Sequence, residues 1–340
     1  MSTLRVNTLQ NTSTTDGGIS IDTSGHVTVD GVAMPSSGPL SNRNLIINGA
    51  MQVWQRGTSQ TSSGSYGADR FWMSNATSAA RNTDAPAGFT YSTKLTYNAS
   101  DMAIGQPIEL PATGQQGQLA AGTTVTLSYY AKVDSGTEAI QTSINFRDGK
   151  FDSTNQVAFT SSNANATWTT TWTRYEHQFT VPTVAGTNVL AGLEIGGISK
   201  DAYITGVQLE VGSVATPFEH RSYGDELRRC QRYYTQIGDG ANPYAVLASG
   251  RLNSATAASL RLSVPVTMRA IPTATLKSAT YALWEGTNNR SVGALTLYSG
   301  GGDGYEGDLA TTSGTTGTFV QLRGNAASPN DPRILLSAEL

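Results

Sequence analysis

Apolar and polar side chains alternate with a period of two along most of this chain, which is the signature of strands. The clearest run is 124–133, TVTLSYYAKV, where Val125, Leu127, Tyr129, Ala131 and Val133 share one face and mostly polar residues the other. Similar runs occur at 91–97, 139–146, 168–181, 189–195 and 202–211. Turn residues separate them and helical periodicity is absent, so residues 43–222 are predicted to form a β-sandwich or jelly roll. A second set of runs, at 245–247, 259–266, 273–283, 292–298, 318–322 and 334–338, is split by Gly-rich turns such as 299–304. It predicts a smaller β domain over 239–340.

Residues 1–42 differ from both. Short alternating runs at 19–21 and 27–29 flank the turn 23–25, and the pair Asp30-Gly31 signals a second turn. Such hairpins are marginal in water by themselves. They become stable if three copies wrap one axis and bury each other's Ile and Val; the alternative is a loose tail with β-propensity. PSSGPLS at 35–41 reads as a linker. Residues 223–237, YGDELRRCQRYYTQI, predict the one helix, a connector over 223–238. Its acids lie early and its arginines later, which suits the helix dipole. Leu227, Cys230, Tyr234 and Ile237 can share a stripe. On this reading Leu227, Tyr234 and Ile237 line a three-fold axis. The expected architecture is therefore all-β: N-terminal stem, jelly-roll sandwich, one short helix, C-terminal β domain, assembled as a homotrimer.

Composition sharpens this picture. Hydrophobic residues make up 38% and charged residues 14% of the 340 positions, both below the usual globular share. Ser, Thr, Asn, Gln and Gly fill the difference, and a core shared between chains would offset the shortage of apolar side chains. Regular alternation argues against disorder throughout. Net charge is −3, and no basic cluster exceeds Arg228-Arg229, so no nucleic-acid partner is expected. The single cysteine, Cys230, cannot form an internal disulfide and fits no metal-ligand spacing. No apolar stretch reaches about 18 residues, so no membrane insertion is expected. The N-terminus has no apolar signal region. Synthesis in a host cytoplasm followed by release on lysis fits such a protein.

Three stretches carry a resemblance. They are NLIINGAMQVWQRG at 44–57 with YGADRFW at 66–72; ITGVQLEVG at 204–212 with TPFEHR at 216–221 and DELRRCQRYY at 225–234; and VPVTMRAIPT at 264–273. Together they resemble phage and prophage tail-fibre or virion-fibre proteins. The middle domain is also similar to jelly-roll carbohydrate-binding modules, in which 127–133, 173–182 and 204–212 would be sheet strands. The resemblance implies a virion component that anchors to tail or baseplate proteins through residues 1–42 and meets a host surface glycan or other receptor. That jelly-roll family often has a structural calcium site near its Asn-Gly strand, but 47–53 holds no carboxylate here, and no metal or other cofactor is expected.

The motifs themselves read mainly as architecture. Asn48-Gly49 suits a tight turn, Trp54 suits a core cap, and Asp69-Arg70 suits a local charge pair. Catalytic chemistry finds little support. Glycosidic cleavage needs two carboxylates. Glu109, Asp134, Glu138, Asp148, Asp152, Glu176 and Glu194 show no spacing that pairs them. His26, His177 and His220 are scattered, there is no G-x-S-x-G elbow, and His177 reads as a polar-face residue. The acidic cluster 303–308 lacks EF-hand spacing and reads as a solvent loop. For sugar binding, Trp168 and Trp172 have one parity along the expected strand 168–181. They make either a stacking surface or part of a core or interchain seam. Trp284, Tyr298 and Tyr305, at strand ends and loops of the terminal domain, are the preferred contact residues. The expected function is a non-enzymatic trimeric fibre whose affinity comes from avidity. The alternatives are a virion connector or head-decorating fibre, or a polysaccharide-depolymerising enzyme.

Overall fold

The computed structural model describes residues 8–9, 18–23, 25–34, 41–110, 117–148, 157–183, 189–238, 242, 244–277, 281–301, 304–325 and 331–339. Most of the expected linker at 35–41, Asp152, Asp303 and the side chain of Asp148 lie outside the described residues. The chain divides into two compact units at Tyr223/Gly224. Among the described residues no helix is long and apolar enough to cross a membrane.

The first unit opens with a small sheet of β1 (Thr8–Leu9), β2 (Ile19–Ile21), β3 (Val27–Val29) and β4 (Val32–Ala33), in that order. The expected Asp30-Gly31 turn is present; at the other, Gly25 N donates to Asp22 O, and Ser24 lies outside the described residues. Asp30 and Gly31 have φ of 50° and 76°, the paired positive values that a two-residue hairpin needs for right-handed twist. Leu9, Ile19, Val29 and Val32 are successive cross-strand partners and so share one face. They are 37–53% exposed. Thr8, Ser20, Thr28 and Ala33 form the row on the other face, where the Ser20 and Thr28 hydroxyls bond each other.

Next come β5 (Ser59–Gln60), β6 (Trp72–Ser74), β7 (Ser78–Asn82), β8 (Ser92–Thr96), β9 (Met102–Ile108), β10 (Thr124–Val133), β11 (Glu138–Asp148), β12 (Val157–Trp168), β13 (Thr173–Thr180), β14 (Val189–Ile198) and β15 (Ala202–Val211). One sheet runs β13-β10-β15-β8-β7-β5 and the other β12-β11-β14-β9-β6, all pairs antiparallel. Within them the eight strands β8 to β15 interlock as 8-15-10-13 over 9-14-11-12, which is the strand order of a jelly roll. The five apolar positions of the 124–133 run are at most 1% exposed, as alternation requires. At the β10–β15 bulge, Gly206 has φ +63°, and a Cβ there would lie 2.7 Å from the Phe89 ring.

The 204–221 motif closes this domain. Gln208 and Glu210 point away from the apolar core yet are buried, because 213–221 folds back over them. The Glu210 carboxylate accepts from Thr216 N at 2.9 Å, Thr216 Oγ1 at 2.7 Å and Gln208 Nε2 at 2.9 Å, with Arg43 Nε 3.5 Å away. Asn44 N donates to Glu219 Oε2, and Arg221 donates to the carbonyls of Asn44 and Ile46. Burial pushes the Glu219 carboxyl up, but the Asn44 and Asn42 amides and the charges of Arg221 and Arg43 outweigh it and hold the group low. The 44–57 motif is similarly internal. Asn48, with φ 61°, accepts from Gln52 N and Val53 N and donates to the carbonyls of Val53 and Asp69. Trp54 packs on the core and donates to Met51 O. Asp69 accepts from Gln55, with Arg56 3.8 Å away, while the Arg70 guanidinium donates to Pro107 O.

The second unit starts with α1 (Tyr223–Gln231), followed by β16 (Tyr234–Ile237), β17 (Val246–Ser254), β18 (Ala257–Ser263), β19 (Thr273–Leu276), β20 (Tyr281–Trp284), β21 (Asn289–Arg290), β22 (Val292–Gly301), β23 (Gly304–Thr311), β24 (Phe319–Gly324) and β25 (Ile334–Ser337). A sheet ordered β21-β20-β24-β17-β18-β23-β22 shares a core with a small sheet ordered β16-β25-β19. The helix is shorter than its sequence pattern suggests. Tyr234 to Ile237 form a strand because β25 offers a complete antiparallel partner, Ser337 to Ile334. The stripe of Leu227, Tyr234 and Ile237 therefore does not exist. Tyr234 is buried, Ile237 packs on the terminal core, and Leu227 is half-buried on a helix whose buried side chains are Glu226 and Cys230.

Candidate functional site

The outer face of the β12-β11-β14-β9-β6 sheet is floored by residues that the core does not use. Phe71, just before β6, and Met73 within it enter the core, so Trp72 between them faces out and is half-buried. In β14, Leu193 and Ile195 enter the core and Glu194 faces out. Register then sets the neighbours: Trp72 opposes Gly105, Gly105 opposes Glu194, and Glu194 opposes Ser143. Two strand spacings, about 10 Å, separate the Trp72 and Glu194 backbones, and the residue between them has no side chain. The adjoining rows carry Gly196 beside Gln141 and Gly192 beside Asn145. The result is a shallow trough with an indole wall and an amide-, hydroxyl- and carboxylate-bearing wall. Asn145 Nδ2 donates to Glu194 Oε2 at 3.0 Å and so orients it. Asn145 itself is buried, and its Oδ1 has no hydrogen-bond partner. Gly105, Ser143 and Asn145 are buried, while Trp72 and Glu194 keep part of their surface exposed. An aromatic plane beside fixed polar groups is the chemistry for holding a polyhydroxylated ring non-covalently. Glu194 is the one carboxylate in the row from Trp72 to Ser143.

The residues favoured on sequence grounds are distributed differently. Trp168 and Trp172 do not share a face. Trp168 ends β12 and is fully buried, its ring 5.8 Å from that of Tyr129 and its Nε1 3.4 Å from the Tyr129 hydroxyl. Trp172 lies in the turn before β13 on the outer side of the other sheet, donating to Asp84 Oδ1 at 2.9 Å. There Lys132 Nζ sits 5.5 Å from the Trp172 ring and 4.9 Å from the Tyr203 ring, and pairs with Asp84. The hydrogen bonds from Lys132 and Trp172 hold the Asp84 carboxyl below its usual range. The turn at 169–172 breaks the strand expected over 168–181, which is why parity counting failed.

In the second unit, Trp284 and Tyr298 belong to the outer face of the large sheet, Trp284 beneath the Arg323 guanidinium at 4.8 Å. Tyr305 goes the other way. It is 4% exposed in the core, and its hydroxyl accepts from Met268 N at 3.2 Å.

The histidines and the acids Glu138 and Glu176 contact neighbours within the fold. His177 has inward parity beside Tyr129 and Phe179 rather than lying on the polar face, and burial pushes its pKa down. His26 contacts Asp22 and Ser213, and His220 packs between Phe89 and Phe218. Glu138 meets Ser199 and Lys200, and Glu176 pairs with Arg174. Among the described residues no group of three or more His, Cys, Asp or Glu is placed to hold a metal ion.

No protein-family model matches the chain, and no curated protein matches its sequence. Among solved structures it is similar to the tailspike protein 4 enzymatically active domain of bacteriophage CBA120, at 18% identity and a TM-score of 0.34. That likeness covers 49% of this chain and 21% of the tailspike chain, about a fifth of its length. It is also similar to the CBM22-1 xylan-binding domain of Paenibacillus barcinonensis Xyn10C, at 14% identity and a TM-score of 0.33, covering 51% of this chain and 96% of that one. A third, TmCBM61 in complex with β-1,4-galactotriose, is 10% identical with a TM-score of 0.29, covering 50% and 99%. The jelly-roll assignment rests on the strand order given above.

Proposed function

We propose that this chain is a non-catalytic subunit of a phage virion fibre that holds a host surface glycan on the trough of its jelly roll. The observation that carries the reading is the row Trp72–Gly105–Glu194–Ser143, which sets an aromatic wall opposite oriented polar groups over a glycine floor. Retaining and inverting glycosidases use two carboxylates on either side of the scissile bond. With a single carboxylate in that row, the site is suited to binding without cleavage. A shallow site of this kind is weak alone, so function rests on several copies acting together.

The N-terminal sheet supports assembly. Its apolar row of Leu9, Ile19, Val29 and Val32 has the make-up of a core residue set yet is 37–53% exposed. Three copies burying this row against one another would form the trimer, and the remaining N-terminal residues would meet other virion proteins. Trp72→Ala and Glu194→Gln, tested on a glycan array with full-length protein, should each abolish or sharply reduce binding while leaving thermal unfolding unchanged. Array binding that survives both substitutions would move the site elsewhere, and release of reducing ends from a bound polysaccharide would make the chain an enzyme.

A further inference from the structure

The second unit carries a groove of its own. It has a volume of about 950 Å³ and lies on the outer face of the seven-stranded sheet. That volume is within the range of small-molecule sites. Three of its lining residues, Val246, Tyr298 and Phe319, are large apolar side chains 50–60% exposed, an uncommon concentration for one face of a small domain.

Register defines the geometry. Phe319 opposes Arg251, Arg251 opposes Ser259, and Ser259 opposes Asp308. Tyr298 comes from β22 at the sheet edge, and its hydroxyl lies 3.3 Å from Ser259 Oγ, so its ring lies across β23 toward β18. Two strand spacings, about 10 Å, separate Ser259 from Phe319, and Arg251 stands on the strand between them. The groove therefore has an aromatic wall on each side and a guanidinium in its floor.

The charges on this floor are unequal in their commitments. Arg261 pairs with Glu306 at 3.5 Å. Asp308 accepts from Ser259 Oγ at 2.9 Å, and Ser259 also accepts from Asn253 at 2.5 Å. Arg251 has no ion pair and no hydrogen bond from its side chain among the described residues, and it is exposed. The one uncommitted charge in the groove is thus positive, and it has the planar fork that matches a carboxylate in bidentate fashion.

We infer that this groove binds an acidic saccharide, a sugar bearing a carboxylate such as a hexuronate, with the carboxylate on Arg251 and the sugar faces against Phe319 and Tyr298. This site goes beyond the jelly-roll trough and does not depend on it. Together the two would let one chain hold two points of a host polysaccharide.

The test is calorimetric titration of full-length protein with tetragalacturonate, a hyaluronan hexasaccharide and sialyllactose, each beside its methyl-esterified form. At least one free acid should bind, and its ester should bind at least about tenfold more weakly, the worth of a charge-assisted bidentate contact. Arg251→Gln should remove the difference between acid and ester, and Phe319→Ala should weaken both. Binding of no acid, equal binding of acid and ester, or an acid preference that survives Arg251→Gln would each overturn the assignment.

Discussion

The N-terminal sheet and the jelly roll are written in the same alternating code and end in opposite states. In β10 the apolar positions are at most 1% exposed, sealed by a second sheet. In β2 to β4 the apolar row is 37–48% exposed, because among the described residues no second layer covers this sheet of four strands of two or three residues. Period two decides which residues share a face. It does not decide what covers that face, which depends on having enough chain to build a partner sheet or on borrowing one from another molecule.

Changes on each side should separate the two cases, and the largest effect belongs to the self-sufficient domain. Glu210→Ala strips three hydrogen bonds from a buried motif and leaves Arg43 and the 213–221 fold-back without an anchor. It should destabilise the jelly roll by roughly 3–5 kcal/mol in urea unfolding, with little change in oligomer mass. The reverse is expected for Ile19→Asp combined with Val29→Asp. Each removes about 1.5–3 kcal/mol of apolar burial from any interchain seam, so light scattering should show a single chain while the main unfolding transition stays in place. Leu227→Asp sharpens the same contrast: an unchanged mass keeps the seam on the N-terminal sheet, and dissociation would return it to the helix.

A smaller effect is expected from His177. Burial depresses its folded pKa below the ordinary 6.5, so the folded state disfavours the imidazolium. Its contribution is therefore fully present above pH 6.5 and is lost as pH falls from there through the folded value. Unfolding free energy measured between pH 7.5 and 5.5 should fall less steeply in His177→Gln than in the parent, by under about 1 kcal/mol given that the group is half-buried.

Much of the architecture was readable beforehand. The run at 124–133, the Asp30-Gly31 turn and the two β domains follow from local pattern and turn chemistry. Strand β12 was not, because 157–168 is largely Ser, Asn, Ala and Thr and is held by pairing along β11 rather than by its own alternation. Tyr298 was legible as an exposed aromatic near the loop-rich edge of its sheet. Tyr305 was not, since only register reveals that it faces the core. Glu194 carried a signal that went unused: it stands between Leu193 and Ile195, so parity alone aims it outward.

What the sequence determined by itself is the class of each segment, since backbone sterics and side-chain period act over a few residues. It also set the hairpin turns, which depend on two residues that tolerate positive φ. What only the tertiary structure decided is adjacency. Trp72, Gly105, Glu194 and Ser143 span 123 positions of chain and become neighbours through the register of three strand pairs. Residues 234–237, which continue a helical pattern, became a strand because β25, nearly a hundred residues later, supplied the hydrogen bonds. Long-range pairing satisfies backbone groups that local propensity only weakly directs, so it prevails where the two disagree.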